Sequence, residues 1–241
     1  MIKIFITLIL FLSNLIFSNI IYISTTGSDQ SGDGSLDNPF LTIQHGMNES
    51  LTGDTVLILE GHYSENIVYD MSMNYDYNAL TLCSEFTITG DSSKISSTVI
   101  SGQESGSVLE FYWGGSVIID GITIEGGYDE YQSQDGLWVE STGKFTFSNS
   151  ILKNCQVYNG HGVGGQLNSI DSIFIYNSKI LSNHDNFNTD GVILINNVDY
   201  ISINKVEFSD NSSVTGSAIR LDETNYLEID SSRFDSNISN V

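Results

Sequence analysis

Short triplets with apolar residues at their first and third positions recur along the second half of the chain. Val117-Ile118-Ile119, Phe145-Thr146-Phe147, Ile173-Phe174-Ile175, Ile201-Ser202-Ile203 and Leu227-Glu228-Ile229 begin 28, 28, 28 and 26 residues apart. Apolar residues at offsets 0 and 2 put both side chains on one face of a strand. An apolar residue returns at offset 7, where Ile124, Leu152, Ile180, Phe208 and Phe234 stand, and Gly127, Cys155, Asn183, Asn211 and Asn237 occupy offset 10. That break is too long for one strand and too irregular for a helix. A further strand lies about ten residues upstream in each unit and is opened by a glycine: Gly106, Gly136, Gly191 and Gly216.

No such unit can bury its apolar side chains alone. Identical spacing lets each unit lie on the next with strands ~4.8 Å apart, which describes a solenoid. The pattern therefore predicts an all-β fold, a right-handed parallel β-helix. Each inward column becomes a stack of like residues, and the column Asn183, Asn211, Asn237 becomes an amide ladder with a structural role. Helix-forming composition is almost confined to Phe40–Leu51, with apolar residues at Phe40, Ile43, Met47 and Leu51 and Gly53 as a stop. This segment is expected to form a short N-terminal capping helix over the first coil.

The first residues carry one base, Lys3, then an apolar run from Ile4 to Phe17 ending at Ser18. They predict a signal peptide over 1–18, since the run is shorter than the ~20 residues of a membrane span. Residues 19–241 then form a single domain, with 19–70 an N-terminal module and 71–241 the coils, and with no membrane span in the mature chain. The expected location is extracellular. Cys83 and Cys155 fall about two and a half coils apart, ~12 Å at strand spacing, beyond the ~7 Å that a disulfide bridges. Two free, buried thiols are expected.

Charge narrows the partners. With 30 acidic and 8 basic side chains the net charge is -22, so the basic footprint that nucleic acid or an anionic membrane requires is missing. A polysaccharide or a surface protein remains a possible partner. No cofactor is expected, with calcium as the possible exception: Asp29, Asp33 and Asp37 supply the oxygen ligands it uses, although their spacing departs from the EF-hand pattern. Three glycosylation sequons begin at Asn48, Asn211 and Asn237, and the latter two belong to the expected ladder.

Motifs over Tyr22–Ile67 resemble the N-terminal module of secreted pectin lyase-like β-helix proteins: Gly27-Ser28-Asp29, Gly32-Asp33-Gly34, Asn38-Pro39-Phe40-Leu41-Thr42-Ile43-Gln44, Gly53-Asp54-Thr55-Val56, Gly61-His62-Tyr63 and Glu65-Asn66-Ile67. The resemblance implies the fold and no single activity. Phe208-Ser209-Asp210-Asn211 and Phe234-Asp235-Ser236-Asn237, with Gly216-Ser217-Ala218-Ile219, are similar to the repeats of polymorphic outer membrane proteins, which implies a surface protein or adhesin.

Asn188-Thr189-Asp190-Gly191 and Gly160-His161-Gly162 resemble two polygalacturonase motifs. They stand in the reverse of that family's order, without its adjacent Asp pair or its Arg-Ile-Lys. Asp135, His161 and Asp190 are the candidate catalytic residues, each near a glycine that opens the upstream strand. Asp135 and Asp190 would lie about 10 Å apart, at or just beyond the ~6.5–9.5 Å of inverting glycosidases. A lyase base has only Arg220 and Arg233 as arginine candidates. The expectation is a non-catalytic secreted or surface-associated β-helix protein that binds a glycan or protein partner, with Tyr112, Trp113, Tyr128, Tyr131 and Trp138 available for stacking on sugars. The alternative is a polysaccharide lyase or glycoside hydrolase. Arrival at Val241 one coil after Leu227, without a helix or polar cap, leads one to expect either a fragment or association through the uncapped C-terminal coil.

Overall fold

The structure is a computed structural model that describes residues 18–71, 79–102, 106–129, 136–157, 162–185 and 191–239. The expected signal peptide lies before the described residues, apart from Ser18. The chain winds as a parallel β-solenoid of about 6 turns. In chain order a coil has four faces, which we call A to D. One coil runs through Leu137–Glu140 (A), Lys144–Ser148 (B), Ile151–Lys153 (C) and Gln156–Val157 (D). In the next three coils faces A and B are crossed by single strands, Gly165–Tyr176, Ile193–Asn204 and Ile219–Asp230.

The register is that of the apolar columns. On face B, Val117, Phe145, Ile173, Ile201 and Leu227 are successive partners, and on face C so are Ile124, Leu152, Ile180, Phe208 and Phe234. The first four members of each column are buried, and each contributes about 1.5–3 kcal/mol by the area it removes from water.

Three corners turn each of the five coils from Leu109 onward, and each takes a residue of positive φ. Trp113, Ser141, Ser169, Asn197 and Glu223 stand between A and B; Gly121, Asn149, Asn177, Lys205 and Ser231 between B and C; Gly126, Asn154, Ser182, Asp210 and Ser236 between C and D. These three columns account for all thirteen non-glycine residues of positive φ in the described chain. Left-handed backbone is tolerated best by Gly and Asn, which explains the small polar residues between the strands.

Two polar ladders run through the interior. Asn183 Oδ1 accepts from Cys155 N at 3.1 Å, Asn211 Oδ1 from both Asn183 N and Nδ2 at 3.1 Å, and Asn237 Oδ1 from Asn211 N and Nδ2 at 3.2 and 2.9 Å. The expected amide ladder is thus present, and it accounts for two of the sequons. A serine ladder was not anticipated: Ser150, Ser178 and Ser232 accept from the backbone N–H of Ile122, Ser150 and Val206 in the coil before, at 3.1–3.2 Å. Both ladders satisfy buried amide donors at corners where strand pairing lapses. Cys83 and Cys155 are free and buried, as the spacing predicts. Burial pushes the Cys83 thiol up to about 11, with a smaller effect from Asp120.

The helix spans Ile43–Glu49, shorter than Phe40–Leu51, with Ile43, Gly46 and Met47 buried. Phe40 is instead bridged to Ile23, and the Ser50 amide and hydroxyl bond back to Met47 O, ending the helix before Gly53. Two helical turns missed from sequence, Phe86–Thr89 and Ser93–Ser97, fill an insertion at one corner between B and C.

The outer edge of the first strand, Ile20–Ile23, is closed by the chain's own loop. Tyr22 N donates to Gly34 O at 2.8 Å, Phe40 N to Tyr22 O at 3.0 Å and Ser24 N to Phe40 O at 2.9 Å. A Cβ on Gly27 would stand 2.3 Å from Phe40 O, so the close approach of this loop requires glycine there.

Candidate glycan-binding face

Face A carries its apolar residues inward, Leu109 and Phe111 followed by Leu137 and Val139, and alternation turns Glu110, Tyr112, Trp138 and Glu140 outward. Register places Glu110 beside Trp138 and Tyr112 beside Glu140. Asp70 is the partner of Tyr112 on the preceding strand, Ile67–Asp70. Each ring is held by a carboxylate two residues back or ahead on its own strand. Tyr112 Oη donates to Glu110 Oε2 at 2.7 Å, and Trp138 Nε1 donates to Glu140 Oε2 at 3.1 Å. Burial, the bond to Glu110 and the charges of Glu110, Glu140 and Asp70 raise the Tyr112 phenol above its ordinary range, so it remains a neutral donor at physiological pH.

The two rings lie 6.3 Å apart at an interplanar angle of 44°. They do not cover one another. Trp113 follows at the corner between A and B, 58% exposed. A different arrangement holds on face B, where Tyr200 and Tyr226 stack at 5.3 Å and 6°, with Phe174 5.7 Å from Tyr200 and Lys144 Nζ over the Phe174 ring. Tyr200 and Tyr226 cover each other's faces and continue the solenoid's own stacking, whereas Phe174 is tilted at 43° to Tyr200.

The structure thus brings together three of the five nominated aromatics. Tyr128 belongs to face D, where it bridges Gly106, and Tyr131 lies outside the described residues. So do Asp135, His161 and Asp190, in the segments that lead from face D to face A. Arg220 is on face A and pairs with Asp222 at 3.0 Å; Arg233 pairs with Asp235.

The acids nominated for calcium serve the N-terminal loop. Asp29 Oδ1 accepts from Leu41 N and Thr42 N at 2.8 and 3.0 Å, and Oδ2 from the Thr42 hydroxyl at 2.8 Å. Desolvation raises the Asp29 carboxyl, but these bonds from Thr42 and Leu41 outweigh it and hold the group below its usual range. Glu65 takes the next two donors of the helix, Ile43 N and Gln44 N, at 2.9 and 3.0 Å. The Thr42 hydroxyl accepts from His45 N, so the first turn of the helix is fully satisfied. Asp33 Oδ1 accepts from Ser35 N at 2.9 Å, and Asp37 lines an open recess beside Asn38 and Pro39. Among the described residues there is no group of three or more His, Cys, Asp or Glu that could hold a metal ion, and no helix is long and apolar enough to cross a membrane.

Sequence reasoning nominated the aromatics but missed Glu110 and Glu140. Glu-x-Tyr and Trp-x-Glu, 28 residues apart, hold the signal, because a separation of two places ring and carboxylate on the same side of a strand. No family model matches the chain, and no curated protein matches it.

Proposed function

We propose that the protein is an exported, non-catalytic β-helix of the pectin lyase-like kind that binds a neutral glycan on face A. The observation that carries this reading is the splayed pair Tyr112 and Trp138, each ring fixed by a glutamate and neither covered by the other. Sugar rings present C–H faces to aromatic rings and hydroxyl donors to carboxylates, so one row of side chains meets both halves of such a ligand. A carboxylate accepts up to about four hydrogen bonds, and one ring donor leaves Glu110 and Glu140 with capacity for hydroxyls. Asp70, Glu110 and Glu140, within a chain of net charge -22, repel uronates and favour uncharged sugars. The motifs similar to polymorphic outer membrane protein repeats agree with a role at a cell surface.

Trp113 and Trp138 are the chain's only two tryptophans, so tryptophan emission, excited selectively over the tyrosines, reports on this face and its corner. Titration with neutral oligosaccharides is expected to change that emission and to leave the sugars intact, with no new reducing ends. Trp138→Ala should weaken binding by at least about tenfold, the loss of one stacked ring. Turnover of any tested glycan, or binding unaltered in Trp138→Ala, would overturn the proposal.

A further inference from the structure

The fold sorts the three sequons. Asn211 Nδ2 donates to Ile180 O at 2.8 Å and Asn237 Nδ2 to Phe208 O at 2.9 Å, both within the amide ladder. A sugar on either nitrogen would stand between stacked coils, so these coils close only around unmodified amides. Asn48 is placed differently. It lies near the end of the helix Ile43–Glu49 and is exposed. Among the described residues its side chain makes one hydrogen bond, in which Oδ1 accepts from Gln44 Nε2 at 3.0 Å. Its Nδ2 faces solvent, and a sugar attached there displaces no contact. Gln44 ties this asparagine to face A. Ile67–Asp70 is the outermost strand of that face and, among the described residues, pairs with Leu109–Tyr112 alone. The N–H and C=O of Val68 point to its free side. The Gln44 amide takes both: Val68 N donates to Gln44 Oε1 at 2.9 Å, and Gln44 Nε2 donates to Val68 O at 3.0 Å. One side chain thus stands in for a neighbouring strand, and the same nitrogen touches Asn48. It guards one position of a four-residue strand, beside a Val68 side chain that is 48% exposed, and such edges recruit other chains unless bulk or charge blunts them.

We infer that Asn48 is glycosylated during export and that its glycan stands over the outer edge of face A, keeping other strands off it. The inference rests on the export proposed above. In the transfer, a secretory-pathway glycosyltransferase uses a lipid-linked oligosaccharide diphosphate as donor. A C–N bond forms between the anomeric carbon and Asn48 Nδ2, the bond from that carbon to the phosphate oxygen breaks, the lipid diphosphate leaves, and one Nδ2 proton passes to a base. The sequon is read before the helix closes, because in the folded chain the Ser50 hydroxyl is buried, donating to Met47 O at 2.7 Å and 3.2 Å from Tyr69 Oη. Chains modified at Asn211 or Asn237 fail to close their coils, so the folded, exported protein carries sugar at Asn48 alone. There the glycan supplies bulk and solubility where the Gln44 amide supplies only two hydrogen bonds.

Expression of the full chain in a eukaryotic cell line that glycosylates its exports, with peptide mass spectrometry of the secreted protein, tests this directly. One glycan is expected, on Asn48, lost in Asn48→Gln and kept in Ser50→Thr, which preserves the sequon. Enzymatic release of the glycan from the folded protein leaves a carboxylate at position 48. The released form should assemble several-fold faster on heating, read by thioflavin fluorescence, and Val68→Lys, which charges the edge, should reverse that gain. Release after folding keeps the test decisive if Asn48→Gln fails to fold. A chain that stays in the cell without sugar would overturn export and this inference together. A secreted chain bare at Asn48, a folded chain with sugar at Asn211 or Asn237, or assembly indifferent to glycan release would overturn the inference and leave export standing.

Discussion

Lys205 illustrates what a corner of this solenoid costs. Its φ is 54°, and the same corner holds Gly121, Asn149, Asn177 and Ser231 in the other coils. A long side chain in left-handed backbone is disfavoured by about 1 kcal/mol, and Asn tolerates it better. Lys205 is exposed, so Lys205→Asn should raise stability by about that amount in a denaturant titration, without altering the circular dichroism. The ladder asparagines were legible in the sequence because they recur in one column. The corners were harder to see. Trp113, Lys205 and Glu223 interrupt their columns with residue types that do not announce positive φ, and Val206 interrupts the column of Ser150, Ser178 and Ser232. Backbone strain and hydroxyl ladders leave a weaker trace in residue type than apolar burial does.

For the strands, period and register were both readable, since a one-residue slip would turn Val117, Phe145, Ile173 and Ile201 to the outside. The helix boundaries were not. Phe40 continues the helical spacing of Ile43 and Met47, but its backbone is claimed by the edge of Ile20–Ile23, a contact distant in sequence that no local pattern encodes. The same loop predicts an acid-dependent contribution to stability from Asp29. Asp29 has a depressed folded-state pKa, so its contribution is complete above the unfolded value near 3.8 and disappears as pH falls through the lower folded value. Asp29→Asn should cost about 1 kcal/mol at neutral pH, through loss of charge-assisted bonds, and should reduce the drop in melting temperature between pH 7 and pH 3. An equal drop in both proteins would show that other carboxylates govern acid unfolding.

Taken as a whole, the molecule sets its acids opposite neutral or basic partners in the next coil, Glu125 against Lys153 and Glu207 against Lys179 and Arg233 among them, and never against one another in the paired strands. A net charge of -22 on a narrow column means that many like charges lie within a Debye length of ~10 Å at 0.1 M salt. Raising sodium chloride from about 0.01 to 0.15 M should therefore increase the melting temperature by a few degrees, about 2–4 °C per kcal/mol of repulsion screened; a flat response would mean that local pairs such as Lys153–Glu125 and Lys179–Glu207 already balance the field. Face A was half legible at this scale: its aromatics could be named, but the glutamates that hold them could be recognised only after the strands were in register. From Ser213 to Ile219 the passage between faces D and A is two residues shorter than from Asp185 to Ile193, while every corner keeps its place. The length difference between these two turns falls in that passage, since the paired strands and the corners keep their spacing. A designer could therefore vary loop length between Ser213 and Ile219 while leaving the strands and corners of the coil, and the apolar columns they carry, in register.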